Sequence, residues 1–296
     1  MFKKFLFVLL ICFLWVGKAE AFSISPLKYV VTVSPRSSEE VEIKIKNDQL
    51  VSQRYVLKVL GTKQNNQGEL IFSEGVNQAE NWVKPEKNVV QIDPGEEVTV
   101  NFFIKTDSLA ESGSYFLGLA AENVDLGERE VGLSGELVCL LLLQVSGQVQ
   151  ENLSVTNWQT ENITINKIWN FDLSIKNTSA VELPIQSELI IRNWRNKIIY
   201  RELNDLGLLL PQADRIFQQK IDMVGQTFFS GSYSATLNII YGRTNQIKTL
   251  VKNFWRISPV WIIILSVVAV GIITLLYRIK KRMVVKLKKY IENFQA

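Results

Sequence analysis

Between Phe22 and Phe254 apolar and polar residues alternate along most of the chain, the period-two pattern of strands with one face in a core and one in water. It is plainest in Val41-Glu42-Ile43-Lys44-Ile45-Lys46. It returns in Tyr55–Val59, Val98–Phe102, Tyr115–Leu119, Phe171–Ile175, Glu188–Ile191 and Tyr233–Leu237. The segments end at Asn, Gly or Pro, and no long helical period interrupts them, so the region is all-β. Leu137 to Leu143 is continuously apolar. Seven residues cannot cross a bilayer, and the run is expected as a strand buried on both faces that closes a first domain.

Two other segments depart from alternation. Lys3 and Lys4 precede an apolar stretch from Phe5 to Val16, and Ala19-Glu20-Ala21 follows. Small residues at Ala19 and Ala21 predict a signal peptide over 1–21, cleaved before Phe22. From Pro259 to Tyr277 there is no charge. At ~1.5 Å per residue this stretch reaches about 28 Å, close to the hydrocarbon thickness, and predicts a transmembrane helix over 259–277. Pro259 and Trp261 mark its outer end and Tyr277 its inner end. Arg278, Lys280, Lys281 and Arg282 then open a basic tail over 278–296. This asymmetry places the N-terminal region outside and the tail in the cytoplasm.

The strand-rich region repeats itself. Val41 to Asp48 is echoed by Phe171 to Thr178, Asp93-Pro94-Gly95-Glu96-Glu97-Val98 by Leu210 to Ile216, and Ser112-Gly113-Ser114-Tyr115 by Ser230-Gly231-Ser232-Tyr233. The order is kept, at offsets of 130, 117 and 118 residues. About thirteen additional residues in the first copy are assigned to the polar stretch Gly61 to Glu80. Alternating strands ending at Asn, a Pro-containing turn and a Gly expected at positive φ before Tyr suit short-looped sandwiches. The fold class expected is therefore all-β: two tandem immunoglobulin-like β-sandwich domains, 22–147 and 148–256, followed by one transmembrane α-helix.

Composition narrows the chemistry. Histidine is absent, which removes Ser-His-Asp triads, Cys-His dyads and His-based zinc sites. The two cysteines are Cys12, inside the leader and without a lipobox context, and Cys139. The mature chain thus has no internal disulfide, and Cys139 is expected to be a buried small hydrophobe. Of 33 basic residues, three lie in the leader and seven in the tail, whereas each of those segments holds one of the 29 acidic residues. The region between is slightly acidic and offers no footprint for nucleic acid. Glu69, Glu74 and Glu80 could serve as a glycosidase pair or a calcium site, but no ligand-spaced run demands either. Trp82, Trp158, Trp169 and Trp194 are read as core residues before sugar platforms. Three sequons, at Asn152, Asn162 and Asn177, imply nothing without a glycosylating host. No cofactor and no metal is expected.

Ser25-Pro26, the Val41–Asn47 strand, Trp82, Asp93-Pro94-Gly95-Glu96, Ser112-Gly113-Ser114-Tyr115, a second sandwich and a C-terminal helix with a basic tail together resemble the WxL-interacting cell-surface proteins of bacteria. The resemblance implies a non-enzymatic, membrane-anchored scaffold, with a surface protein or a wall or matrix component as partner. The 61–80 stretch, without tyrosine and rich in Gly, Asn and Gln, departs from that pattern. The alternatives are a carboxylate-based hydrolase of wall polysaccharide using Glu69, Glu74 or Glu80, and an accessory subunit of a membrane transport or secretion complex.

Overall fold

The computed structural model describes residues 22–124, 135–223 and 230–294. The first ten strands are β1 (Phe22–Ser25), β2 (Lys28–Val33), β3 (Ser38–Asn47), β4 (Gln53–Gln64), β5 (Leu70–Ser73), β6 (Val83–Pro85), β7 (Val89–Ile92), β8 (Glu97–Lys105), β9 (Gly113–Asn123) and β10 (Glu136–Val145). They form one sheet in the order β1-β3-β8-β6 and a second in the order β2-β10-β9-β4-β5, with β7 also on β4. The alternation read from sequence decides the interior. Val41, Ile43 and Ile45 of β3 and Val100, Phe102 and Ile104 of β8 join Tyr55, Leu57, Leu117, Leu119, Cys139, Leu141 and Leu143 of the other sheet in one buried cluster. Burying each large aliphatic is worth about 1.5–3 kcal/mol, which is how this region holds without a disulfide.

The apolar run is β10, an inner strand between β9 and β2. Cys139, Leu141 and Leu143 enter the core and Leu142 is buried as well, while Val138 and Leu140 are only half-buried. Strand β2 runs parallel to β10, from Lys28 opposite Leu140 to Val33 opposite Val145. Strands β1 and β2 thus lie in different sheets, separated by Pro26 after a cis bond.

Strands β11 (Leu153–Gln159), β12 (Ile163–Thr164), β13 (Ile168–Asn177), β14 (Leu183–Asn193), β15 (Ile198–Leu209), β16 (Asp214–Asp222), β17 (Gly231–Tyr241) and β18 (Gln246–Arg256) follow, then helix α1 (Pro259–Phe294). Their sheets run β11-β13-β16 and β12-β18-β17-β14-β15. Between them Trp169 lies 5.0 Å from Phe254 and 5.2 Å from Tyr233, ring edge to ring face, a favourable arrangement of ring quadrupoles.

The internal repeat is a repeat of topology. Strands β3, β8, β9 and β10 have the places of β13, β16, β17 and β18, and the parallel pair β2–β10 recurs as β12–β18. The Asn that ends the first marked strand was expected as a turn residue, and it does more than that. Asn47 is fully buried, and its Nδ2 donates to the carbonyls of Val51 (2.8 Å) and Ile92 (3.0 Å). Asn177, also fully buried, donates to Val181 (2.8 Å), Leu209 (3.0 Å) and Leu210 (3.0 Å). Each Oδ1 accepts the amide two residues on, from Gln49 and Ser179. A primary amide can close such a junction because it both donates twice and accepts.

Pro-containing turns follow in both copies. Gly95 has φ +75° and its counterpart Gln212 has φ +59°. The glycine of Ser-Gly-Ser-Tyr, by contrast, is not needed for a left-handed turn. Gly231 stands near the extended region at φ 159°, and Gly113 is not among the positive-φ glycines. The stretch 61–80 is not a plain loop either. Gly61 to Gln64 prolong β4 and pair with β5, and a 3-10 helix spans Gln78–Trp82.

Contacts divide the chain into two compact units. One comprises Met1–Asn152, Asn177–Glu182 and Leu209–Ala213; the other comprises Leu153–Lys176, Leu183–Leu208 and Asp214–Ala296.

Candidate binding surfaces

Ala19 and Ala21 lie outside the described residues, and Phe22 is the first residue of β1. Pro259, Trp261, Tyr277, Arg278, Lys280, Lys281 and Arg282 all fall on α1, which continues unbroken through the basic cluster. Its segment Pro259–Val284 has a mean hydropathy of 2.7 and none of its most apolar window is buried, so it is long and apolar enough to cross a membrane.

The carboxylates of the 61–80 stretch do not converge on a reaction centre. Glu80 accepts the backbone amides of Gly75 (2.7 Å), Val76 (2.6 Å) and Asn77 (2.7 Å) and completes a capping box with Asn77 at the 3-10 helix. A carboxylate holding three amides is a structural clamp. Glu69 accepts from Asn65 Nδ2 at 2.8 Å. Among the described residues no group of three His, Cys, Asp or Glu could hold a metal.

Trp82 and Trp169 are buried. Trp158 stacks on Phe171 at 5.4 Å. Trp194 departs from the core expectation: it is 56 % exposed in a turn, with the Arg195 guanidinium 4.4 Å from its ring centroid. Cys139 is fully buried and free, and burial raises its thiol to about 11.

What remains are strand edges. The amide of Leu140 donates to Leu27 at 2.9 Å on the β2 side of β10. Backbone direction repeats every second residue, so Val138 and Glu136 turn their amides and carbonyls the same way. Strand β2 begins opposite Leu140. Among the described residues no strand pairs with this edge of Glu136–Cys139. The side chains here are Leu137 and Val138, half-buried, and Cys139; Val138 Cγ1 and Phe72 crowd over Gly118, where an added Cβ would come within 2.6 and 2.7 Å of them.

Strand β18 has the corresponding edge, and β12 covers it only at Trp255 and Arg256. Yet half-buried Lys248 and Lys252 alternate with Leu250 there, and Lys248 Nζ donates to the Leu153 carbonyl at 3.1 Å. Charged residues facing inward blunt an edge against pairing. Among the described residues the edge of β10 carries no lysine, and its one charged side chain, Glu136, is exposed at the strand's start and not directed inward. Beside it Glu136 stands opposite Glu122 in register, and Glu122 is paired to Lys58 at 2.5 Å. The hydrogen bond to Glu122 is the main cause that raises the Lys58 ammonium above its ordinary value, and Glu74 and Glu136 add to it. The rim of the edge is therefore acidic.

No family model matches the chain, and no curated protein matches it. Solved structures do. The class 5 fimbriae chaperone CfaA is similar at 11 % identity and a TM-score of 0.43, over 80 % of this chain and 99 % of that one. A chaperone–tip adhesin complex of CFA/I fimbriae is similar at 12 % identity and 0.44, over 79 % and 98 %. The Salmonella enterica SafA pilin in complex with the SafB chaperone is similar at 11 % and 0.40, over 81 % and 97 %.

The family resemblance and the function drawn from it are corrected here: neither a family model nor a curated protein supplies the WxL-interacting family, and the similar structures reported above are of fimbrial chaperones. The reading as a membrane-anchored surface scaffold is therefore withdrawn, as are the wall hydrolase and the transport-complex subunit. The physical reason is plain in the fold. Three of the marks that carried the resemblance, a strand-end Asn latch, a Pro turn and a strand start, are what any sandwich built this way requires.

Proposed function

We propose that this chain is a non-catalytic, chaperone-like binding protein that takes up an extended segment of another exported protein as an added strand on β10. Two of the similar structures pair a chaperone with a tip adhesin or a pilin; for this chain the reading is carried by β10 itself. Glu136–Cys139 is a strand edge without a partner among the described residues, apolar in its side chains from Leu137 to Cys139 and without lysine. An arriving strand would use the edge-facing groups of Glu136 and Val138 for affinity and set its apolar residues beside Leu137 and Val138. The acidic rim of Glu122 and Glu136 favours a segment with Lys or Arg at that end.

The same proposal treats 22–147 and 148–256 as two sandwich domains outside the cytoplasm, released from the leader between Ala21 and Phe22. Helix α1 then holds them at the membrane, with Trp261 and Tyr277 at the interfaces and Arg278, Lys280, Lys281 and Arg282 inside.

A photo-crosslinking residue in place of exposed Glu136, in the full chain in its own cells, is expected to yield an adduct with an exported β-sheet protein; the same residue at Ile247 on β18 is expected to yield none. Val138→Pro removes a donor that faces only the open edge, so the fold is retained by circular dichroism while the adduct is lost. An adduct that survives Val138→Pro, or one formed equally from Ile247, refutes strand addition at β10.

A further inference from the structure

Aligning the two copies on their buried asparagines sets Ser187 of β14 where the first copy has Leu57 of β4, both 130 residues apart. The partner strands agree: Leu57 lies opposite Ala121 and Ser187 opposite Ile239, which are 118 apart. Both side chains occupy an inward row and both are 4 % exposed. The row of β14 otherwise reads Leu183, Ile185, Leu189 and Ile191. A hydroxyl thus stands where an isobutyl group fills the first sandwich.

The missing volume is there. A cavity of about 180 Å³ lies against Ser187, walled by Trp158, Phe171, Leu173, Phe217 and Leu237. One polar atom is left over in its lining: Trp158 Nε1 is buried without a hydrogen-bond partner among the described residues, and the Ser187 hydroxyl stands in the same lining. Unpaired buried polar groups are costly, and native proteins rarely keep them without a reason.

We infer that this cavity is a binding site for a small, uncharged, mainly aromatic molecule carrying one hydrogen-bonding oxygen. Its size is that of cavities known to admit a single benzene-sized ring. Its walls are three aromatic rings and three leucines, with the amides of Asn204, Gln218 and Gln219 on the side of β15 and β16. The Trp158 N–H supplies a donor and the Ser187 hydroxyl a donor or acceptor for one oxygen substituent. No ionised side chain lines it, so a charged ligand would be left uncompensated. The mouth lies between β15 and β16, where Gln219 Nε2 donates to Glu202 and Tyr200 OH donates to the same carboxylate at 2.5 Å. That bridge ties β15 to β16 beside the opening, which suits entry of a small molecule and opposes insertion of a whole strand.

The probes are phenol and benzene, titrated by calorimetry into the full chain in lipid nanodiscs with empty nanodiscs subtracted. Phenol is expected to bind in the millimolar range and about tenfold tighter than benzene. Ser187→Leu restores the first copy's residue and is expected to abolish binding of both while raising the thermal midpoint. Should that variant fail to fold, Trp158→Phe removes the N–H donor while keeping an aromatic ring and is expected to lower the phenol-to-benzene ratio severalfold, toward one. Neither probe binding the native chain, as for a site filled only by water, overturns the assignment. So does unchanged phenol affinity in Ser187→Leu, or an unchanged ratio in Trp158→Phe.

Discussion

Replacing Asn177 by alanine tests whether the buried amide holds its junction together. The side chain donates to the carbonyls of Val181, Leu209 and Leu210 and accepts the Ser179 amide. Its loss does not orphan all four groups. The Val181 carbonyl keeps the Ser179 hydroxyl at 3.0 Å, and the Leu210 carbonyl keeps the Ala213 amide at 3.2 Å. The Leu209 carbonyl and the Ser179 amide lose the one side-chain partner that served them. Two buried groups left unpaired cost about 1–3 kcal/mol each, so a loss of about 4 kcal/mol is expected. In a sandwich of this size that lowers the midpoint by roughly 12–20 °C, read by tryptophan fluorescence on heating the full chain. Asn177→Asp sharpens the test. A carboxylate aimed at three carbonyl oxygens must be protonated to donate, so its pKa is raised on folding. Its stability is then fully present below the ordinary Asp value near 4 and is lost as the pH rises above it. A loss below about 1 kcal/mol in Asn177→Ala, or an Asn177→Asp variant more stable at neutral than at acid pH, refutes the latch.

Glu80→Ala removes the acceptor of three amides at the 3-10 helix and is expected to cost about 1–2 kcal/mol in urea unfolding, at the upper end of a capping contact. Gly95→Ala forces a Cβ onto a φ of +75° and should lower stability by about 1 kcal/mol in the same assay. Cys139, with its thiol raised to about 11 from an ordinary 9.0, should resist maleimide at neutral pH until the chain unfolds. Because the folded thiol is the harder to ionise, its stabilising effect is complete below pH 9 and falls away toward pH 11, so unfolding should become easier across that window and not in Cys139→Ala.

Period-two alternation located β3, β4, β8, β9, β13, β14 and β17 because half-buried strands must alternate to face a core. The repeat was legible from three short marks, since the atoms that close each junction are the same in both copies. Less was legible where geometry is made at long range. Nothing local distinguishes β1 from β2 as members of different sheets, or announces that β2 runs parallel to β10. Glu80 reads as a loop carboxylate until the amides of Gly75 to Asn77 are seen around it. The edge of β10 that no described strand covers is a property of where β2 begins and not of any residue in β10. The cavity, however, had a signal: aligning the copies exposes Ser187 against Leu57. The family resemblance failed for the complementary reason. Its marks report what two facing sheets need, which unrelated binding functions share.

The duplicated topology has a cost during synthesis. Two strand sets with the same order and the same asparagine latches in one chain could exchange equivalent strands before either is complete, a recognised failure of tandem domains. The 3-10 turn over Gln78–Trp82, which has no counterpart among the described residues of the second copy, together with Leu57 against Ser187, makes hybrids of the two cores fit badly. What distinguishes the copies from one another thus also keeps each strand with its own partners.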